Sequence, residues 1–486
     1  LPIFVRFKRA KHFLIMSDSI AFLSETYTDC EISACGLTLD IARQRLTSKD
    51  WTGILENART RDVIGKQRAM MRGDIVNKTE NRQALHTSLR SHDASAPYYE
   101  EVQAALGRMK AFARDVRSGQ WVGATGKAIT DVINVGIGGS EMGPHAVYHA
   151  LRDVNPSIRL YFLSAVDGIL VDRILDSVNP ETTLVVVSSK SFSTRETQVN
   201  AQTVDHWLGE AGITSLADRS KHMVLVSAKT DAYKEMNLPA ENLFPMWSWV
   251  GGRFSVWGAV GLPLLIALGE ERFQDFLDGA YEMDCHMLEA PLEKNLPATL
   301  ALLSYWNATQ FKMQAHCLLP YDERLRMMVA WLQQLEMESL GKTYTPEGGM
   351  VKGPTGQGIW GGHGNEAQHS FYQWLREGTG RTSIDIVWCE DPGHRHNHHH
   401  CVLTANARAQ AQALVTRESG HSEYFNAVTA LRISKLTPKT LGAMMAMYEH
   451  KTTILATLYG INAFDQPGVE LGKRLCRQVE ASALEG

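Results

Sequence analysis

Leu184-Val185-Val186-Val187-Ser188-Ser189-Lys190-Ser191-Phe192-Ser193-Thr194-Arg195-Glu196-Thr197 is the stretch that decides the fold. A short apolar run rich in β-branched residues reads as a buried parallel strand. It stops abruptly in a cluster of hydroxyls at Ser188, Ser189, Ser191, Ser193, Thr194 and Thr197. Ser and Thr are good N-caps, so a helix is expected to begin in or just after the cluster. Hydroxyls and free N–H groups at a helix N-terminus make an anion site, and a phosphate on a small ligand is the expected anion. The bland alternative is a Ser/Thr-capped helix with no ligand.

Outward from this stretch the same pattern repeats. Apolar runs rich in Val and Ile fall at Asp131–Val135, Ile158–Leu163, Leu184–Val187 and His222–Val226, with segments of crossover length between them. Each run ends in small or polar residues. This is the βαβ rhythm of a doubly wound parallel sheet, whose ligands bind outside the carboxyl ends of the strands. Residues 17–120 read as mainly helical. A buried helix is expected over Trp257–Gly269 and a helical block over Asn295–Cys317. Strands are expected near Met327–Trp331 and Ser383–Trp388, and helices over Asn406–Val415 and Pro438–Leu458. Two parallel α/β domains with helical extensions are the simplest organisation for 486 residues.

Composition narrows the function. Hydrophobic content of 44% and charged content of 21% are ordinary for a globular protein. A net charge of -4 gives no basic excess for nucleic acid. Seven cysteines at scattered spacings, without a CxxC pair, suggest neither a disulfide framework nor structural zinc, and a reducing cytoplasm fits best. No run approaches the ~18–20 apolar residues of a membrane span. Leu1–Ile15 mixes basic and apolar residues too closely for a signal peptide, so it is expected to be an upstream extension, with Met16 near the natural start.

Several further motifs carry candidate chemistry. Val135–Pro144 holds a glycine turn after a strand. The dinucleotide register fails, because Glu141 stands where the third glycine belongs. What remains is a turn whose N–H groups approach a ligand, with a merely tight turn as the alternative. Arg253, after Gly251 and Gly252, suits oxyanion stabilisation, or a structural ion pair. Gln333–Lys342 contains Glu336 and Glu338, which share a face in a strand but not in a helix. A glutamate in apolar surroundings can serve as a base, although a surface helix face is the plainer option. His369 follows the glycine-rich loop 356–364, and Lys473 follows Gly468 and Gly472. Either could move a proton, and either could be a structural or surface residue. The tract His394, His396, His398, His399 and His400 has no carboxylate or cysteine set at ligand spacing, so no metal is expected there.

Taken together and in this order, the motifs resemble the glucose-6-phosphate isomerase family. The resemblance begins with Arg72–Asn77, Glu80–Arg82 and Leu85-His86. It continues through Asn134–Pro144, Ser189–Thr197, Val250–Ser255, Gln333–Lys342, Gln368–Gln373 and Gln466–Lys473. It implies two sugar-isomerase (SIS) three-layer αβα domains with parallel sheets, assembled as a homodimer. The domains would cover residues 111–265 and 266–486, preceded by a helical segment over residues 16–110 that packs on the second domain. It implies interconversion of glucose 6-phosphate and fructose 6-phosphate through a cis-enediolate, with no cofactor and no metal. Phosphate would lie on Ser189, Ser191, Thr194 and Thr197, with Lys190 nearby. Gly139 and Ser140 would line the sugar, and Gln334 and Gln466 would hold hydroxyls. Glu338 matches the family's base, Arg253 the residue beside the enediolate, and His369 and Lys473 the ring-opening pair, with the histidine entering from the partner subunit. The chain departs from the family pattern Trp-Gly-Glu-Pro-Gly-Thr-Asn-Gly-Gln-His at Gly362–Ala367. Leu335 and Leu340 replace the usual Gly and Asn, and Ser191 replaces a threonine but keeps the hydroxyl. A non-catalytic sugar-phosphate sensor on the same domains is the competing expectation. The presence of Arg253, Glu338, His369 and Lys473 argues against it.

Overall fold

The computed structural model describes residues 22–416 and 425–484. The expected extension at residues 1–15 and the proposed start at Met16 lie outside the described residues. In chain order the strands are β1 (Glu31–Ala34), β2 (Leu37–Arg43), β3 (Asp131–Val135), β4 (Arg159–Leu163), β5 (Thr183–Ser188), β6 (Met223–Ser227), β7 (Leu243–Pro245), β8 (Ala315–Pro320), β9 (Gly358–Gly361), β10 (Thr382–Asp391) and β11 (Ala427–Lys435). They form two sheets. The first runs β4-β3-β5-β6-β7 and is wholly parallel. The second runs β1-β2-β11-β10-β8-β9, parallel from β11 to β9 and antiparallel at β1 and β2.

The decisive stretch behaves as its composition demands. Every residue of β5 is buried. Val186 faces the large core shared with the second sheet, while Val185 and Val187 face a separate cluster with Leu208 and Leu225. A strand covered on both faces has no polar side, which is why its sequence is a continuous apolar run. The large core also takes Val132 from β3, Val387 from β10 and Leu431 from β11, so it spans both sheets. At its centre the helix Pro438–Tyr459 is buried along nearly its whole length and packs on Glu270–Glu289 and Leu296–Gln310.

The structure corrects several sequence expectations. The described part of the region 17–120 is mainly helical as expected, but it also contributes β1 and β2, which form the antiparallel edge of the second sheet. Leu37, Leu39 and Ile41 are buried with a period of two, a signal that seven residues carry only faintly. Met327–Trp331 is no strand; Met328–Leu332 is an α-helix that continues as a π-helix over Gln333–Met337. A short apolar run buried on all sides does not reveal its own period. The helical block from Asn295 ends at Gln310, Lys312 turns left-handed at φ 56°, and Cys317 lies in β8. The buried helix expected over Trp257–Gly269 is shorter, Leu262–Leu268, with a 3-10 turn before it.

Candidate functional site

The site gathers at the carboxyl ends of β3 and β5. After Ser188 the chain stays pinned for one more residue, the Ser189 N–H donating to Val226 O at 2.9 Å. It then turns sharply, with Phe192 left-handed at φ 54° and its ring buried in the core beneath. A bulky residue in that region is strained unless its surroundings hold it. Here the Gln198 side chain donates to Phe192 O at 3.1 Å. The helix Arg195–Glu210 begins with Thr194 at its N-cap, yet no side chain caps it. The hydroxyls are therefore not consumed by capping. Ser191 and Ser193 bond each other at 2.7 Å, and Ser189 Oγ is buried with no hydrogen-bond partner. Lys190 turns away from this cluster; its ammonium donates to Ser248 O at 2.9 Å and Val250 O at 2.7 Å. Burial, reinforced by Arg82, lowers its pKa to about 8.

The glycine turn packs against this loop because it lacks side chains. A Cβ on Gly136 would lie 3.0 Å from Ser188 O, and one on Gly139 would lie 2.1 Å from the Gly252 carbonyl carbon. Side chains there would push the 138–140 turn off the loop that carries Arg253. The Lys190 bonds fasten that same loop from its other side.

Arg253 is the hub. Its guanidinium donates Nε to Ser339 Oγ at 2.7 Å and Nη1 to Gln466 Oε1 at 3.1 Å. Nη2 donates to Ala463 O and to Asp465 O. Nη1 also lies 3.3 Å from Glu338 Oε2. The arginine side chain is 2% exposed and that of Glu338 is 26% exposed, so the carboxylate alone opens to the cleft. Burial lowers the guanidinium's pKa while Glu338 opposes the shift; an arginine so placed remains charged. Gln334 Nε2 donates to Glu338 Oε2 at 3.2 Å.

The segment from Gln333 to Leu340 is helical, so Glu336 and Glu338, two positions apart, point to different sides. Glu336 turns inward and pairs with the buried Lys451 at 2.7 Å. Glu338 turns outward to Arg253. A π-helical turn such as Gln333–Met337 is frequent at functional sites.

Two expected residues stand apart from this hub. Lys473 sits on the helix Glu470–Leu484, exposed and paired with Glu470 at 2.8 Å. With Ser191, Ser193 and Thr194 it lines a cavity of about 390 Å³. Ser189 and Thr197 line a separate, smaller one of about 140 Å³ beside the helix Arg195–Glu210. His369 is exposed and takes no part in the contacts around Glu338. The sequence reading missed Ser339, Lys342 and Asp465. The first two lie inside the Gln333–Lys342 motif, and Asp465 directly precedes Gln466, so proximity to named residues was the available signal. Among the described residues, no three His, Cys, Asp or Glu side chains converge on a metal position.

The fold is of the sugar-isomerase α/β class, two largely parallel sheets set among helices. The sequence profile of the family described as phosphoglucose isomerase matches residues 40–486. A glucose-6-phosphate isomerase from Burkholderia orbicola (strain MC0-3) is 43% identical over 465 residues, covering 92% of this chain and 86% of its own. One from Paraburkholderia phytofirmans is 42% identical with the same coverage. The crystal structure of a glucose-6-phosphate isomerase from Chlamydia trachomatis superposes with a TM-score of 0.84 at 28% identity, over 95% of this chain and 93% of its own. The chain belongs to the phosphoglucose isomerase family.

Proposed function

We infer that this protein interconverts glucose 6-phosphate and fructose 6-phosphate, with Glu338 as the base that carries the proton. The observation that carries this reading is the Glu338–Arg253 pair, a partly open carboxylate 3.3 Å from a buried, fully bonded guanidinium. Phosphate binds the Ser189–Thr197 turn, where Ser189 Oγ is buried and unpaired and the N-cap Thr194 hydroxyl is not used for capping. Gly139, Ser140, Gln334 and Gln466 surround the sugar.

The steps follow from charge. Lys473 and His369 of the partner subunit open the ring by moving the hydroxyl proton to the ring oxygen. Glu338 then removes the C2 proton, and electrons shift onto the C1 carbonyl oxygen. Arg253 offers fixed positive charge as the enediolate develops, without having to reorganise. The O2 hydroxyl proton passes to O1 as Glu338 returns its own proton to C1, leaving a C2 ketone and a C1 hydroxyl. Atoms and electrons balance within one molecule.

A homodimer with shared sites is part of the proposal. It is supported by the exposure of His369 and its separation from the Arg253 hub within one chain. The reducing cytoplasm is the compartment we assign, supported by seven free thiols. No helix among the described residues is long and apolar enough to cross a membrane. A coupled assay of fructose 6-phosphate conversion tests the activity; a wild type that binds the sugar phosphate without turnover would leave only a sensor. Refolding inactive Glu338→Gln and His369→Asn chains together tests the shared site. Half the dimers are hybrids with one intact site of two, so about a quarter of wild-type activity should return. Recovery of none would place His369 outside the partner's site.

A further inference from the structure

The side chain of Lys342 enters the site from the end of the segment that bears Glu338. The helix Glu338–Leu340 stops at Gly341, and its last carbonyls need donors. Lys342 Nζ supplies them, donating to Glu338 O at 2.8 Å and Ser339 O at 2.9 Å. The same ammonium lies 3.4 Å from Asp465 Oδ1, with the two side chains only 8% and 13% exposed. Asp465 Oδ1 is buried and has no hydrogen bond of its own. Its Oδ2 accepts from Thr79 Oγ1 at 2.5 Å, and its backbone carbonyl accepts from Arg253 at 3.2 Å. One ammonium thus joins the Glu338 turn to the 463–466 loop. That loop holds three acceptors of Arg253, at Ala463, Asp465 and Gln466.

Charge gives the arrangement its direction. Three carboxylates act on Arg253, Glu338 most strongly, then Asp465 and Glu80. Lys342 neutralises Asp465 and leaves Arg253 to Glu338. Without it, a buried and unpaired carboxylate would draw the guanidinium toward the loop, because a lone buried charge is far costlier than a shared one. The helix end would also lose the cation that satisfies its carbonyls.

We propose that Lys342 is a positioning residue, which sets the Glu338–Arg253 geometry by clamping the Glu338 turn to the 463–466 loop and neutralising Asp465. The proposal rests on the reading of Glu338 and Arg253 as the reacting pair. Lys342 itself touches no reacting atom. The groups facing it are Arg253, Asp465 and Glu338. Burial first, and then Arg253, lower its pKa to about 8, against the pull of Asp465 and Glu338. The clamp is therefore charged at neutral pH and released as pH rises through that value.

Steady-state kinetics from pH 6.5 to 10 test this with wild type, Lys342→Met and Lys342→Met/Asp465→Asn, and Glu338→Gln alongside. The wild type should lose kcat in a step near pH 8. Lys342→Met should show kcat reduced about tenfold to a hundredfold at pH 7, as a small misplacement of reacting groups costs. Its KM should change less than about threefold, and the alkaline step should shrink to what Lys190, whose pKa is also lowered to about 8, contributes. The double variant, which removes the orphan carboxylate, should recover most of the lost kcat. Wild-type kcat in Lys342→Met, an alkaline step undiminished in it, or a double variant no better than the single one would overturn the proposal. If Lys342→Met does not fold, the double variant carries the test through the alkaline step alone. Full activity in Glu338→Gln would instead sink the underlying reading of the site.

Discussion

Glu336 and Glu338 stand two residues apart on one helical segment and have opposite environments. Glu336 is buried against Lys451, and neither side chain reaches water. Glu338 lies beside an equally buried cation, Arg253, but keeps part of its carboxylate open to a cleft lined by Gln334. Both are ion pairs, the inner one at 2.7 Å and the outer at 3.3 Å. The difference lies in what else each partner is bonded to. Arg253 spends its other donors on Ser339, Gln466 and two backbone carbonyls, so it is held independently of Glu338. The carboxylate can then take up and lose a proton without the cation moving. Glu336 has no such freedom, because its charge is the chief compensation for the buried Lys451.

Substitutions can break this contrast. Glu338→Gln should lower kcat by about 10²–10⁴-fold, the range for loss of a positioned base, with the unfolding midpoint almost unchanged. Near-wild-type turnover would end the assignment. Glu336→Gln should do the reverse. It strands a buried ammonium and should cost about 3 kcal/mol of stability in denaturant unfolding, while kcat falls by less than about tenfold. A variant that unfolds at the wild-type midpoint would show that the inner pair is not structural.

Ser189 sharpens the comparison from a third position. Like Glu336 it is buried, but its Oγ has no partner, and it faces a small cavity. A buried polar atom without a partner costs stability unless a ligand satisfies it. Ser189→Ala should therefore leave the fold no less stable and lower kcat/KM roughly tenfold, the value of one hydrogen bond to a charged phosphate. Equal kcat/KM in both forms would move the phosphate elsewhere.

How much of this was legible in the residues differs by region. The hydroxyl turn was readable because it is local: an apolar strand, an abrupt run of hydroxyls and a helix follow one another within Leu184–Thr197. The central parallel strands were readable for the same reason, since burial on both faces leaves no polar residue to interrupt them. The edge strands β1 and β2 were not. β2 pairs with β11 across nearly four hundred positions, β1 joins the sheet only through β2, and the alternation in such short strands is faint. Met328–Leu332 looked like a strand because its surroundings, not its own period, make it apolar.

The residues alone carried the parallel α/β class, the hydroxyl-rich turn after β5 and, through the order of the motifs, the family resemblance that named Arg253, Glu338, His369 and Lys473. Those signals are covalent neighbours or fixed strings, so the chain writes them directly. Packing settled that Gln333–Leu340 is helical, π over Gln333–Met337, and which of its two glutamates meets the buried Lys451 and which Arg253. It alone brought Asp465 and Lys342 to Arg253, and turned Lys190 from the hydroxyls to the carbonyls of Ser248 and Val250. Such choices depend on which distant backbone ends nearby and on the cost of burying a charge without a partner, and no local stretch of residues carries that information.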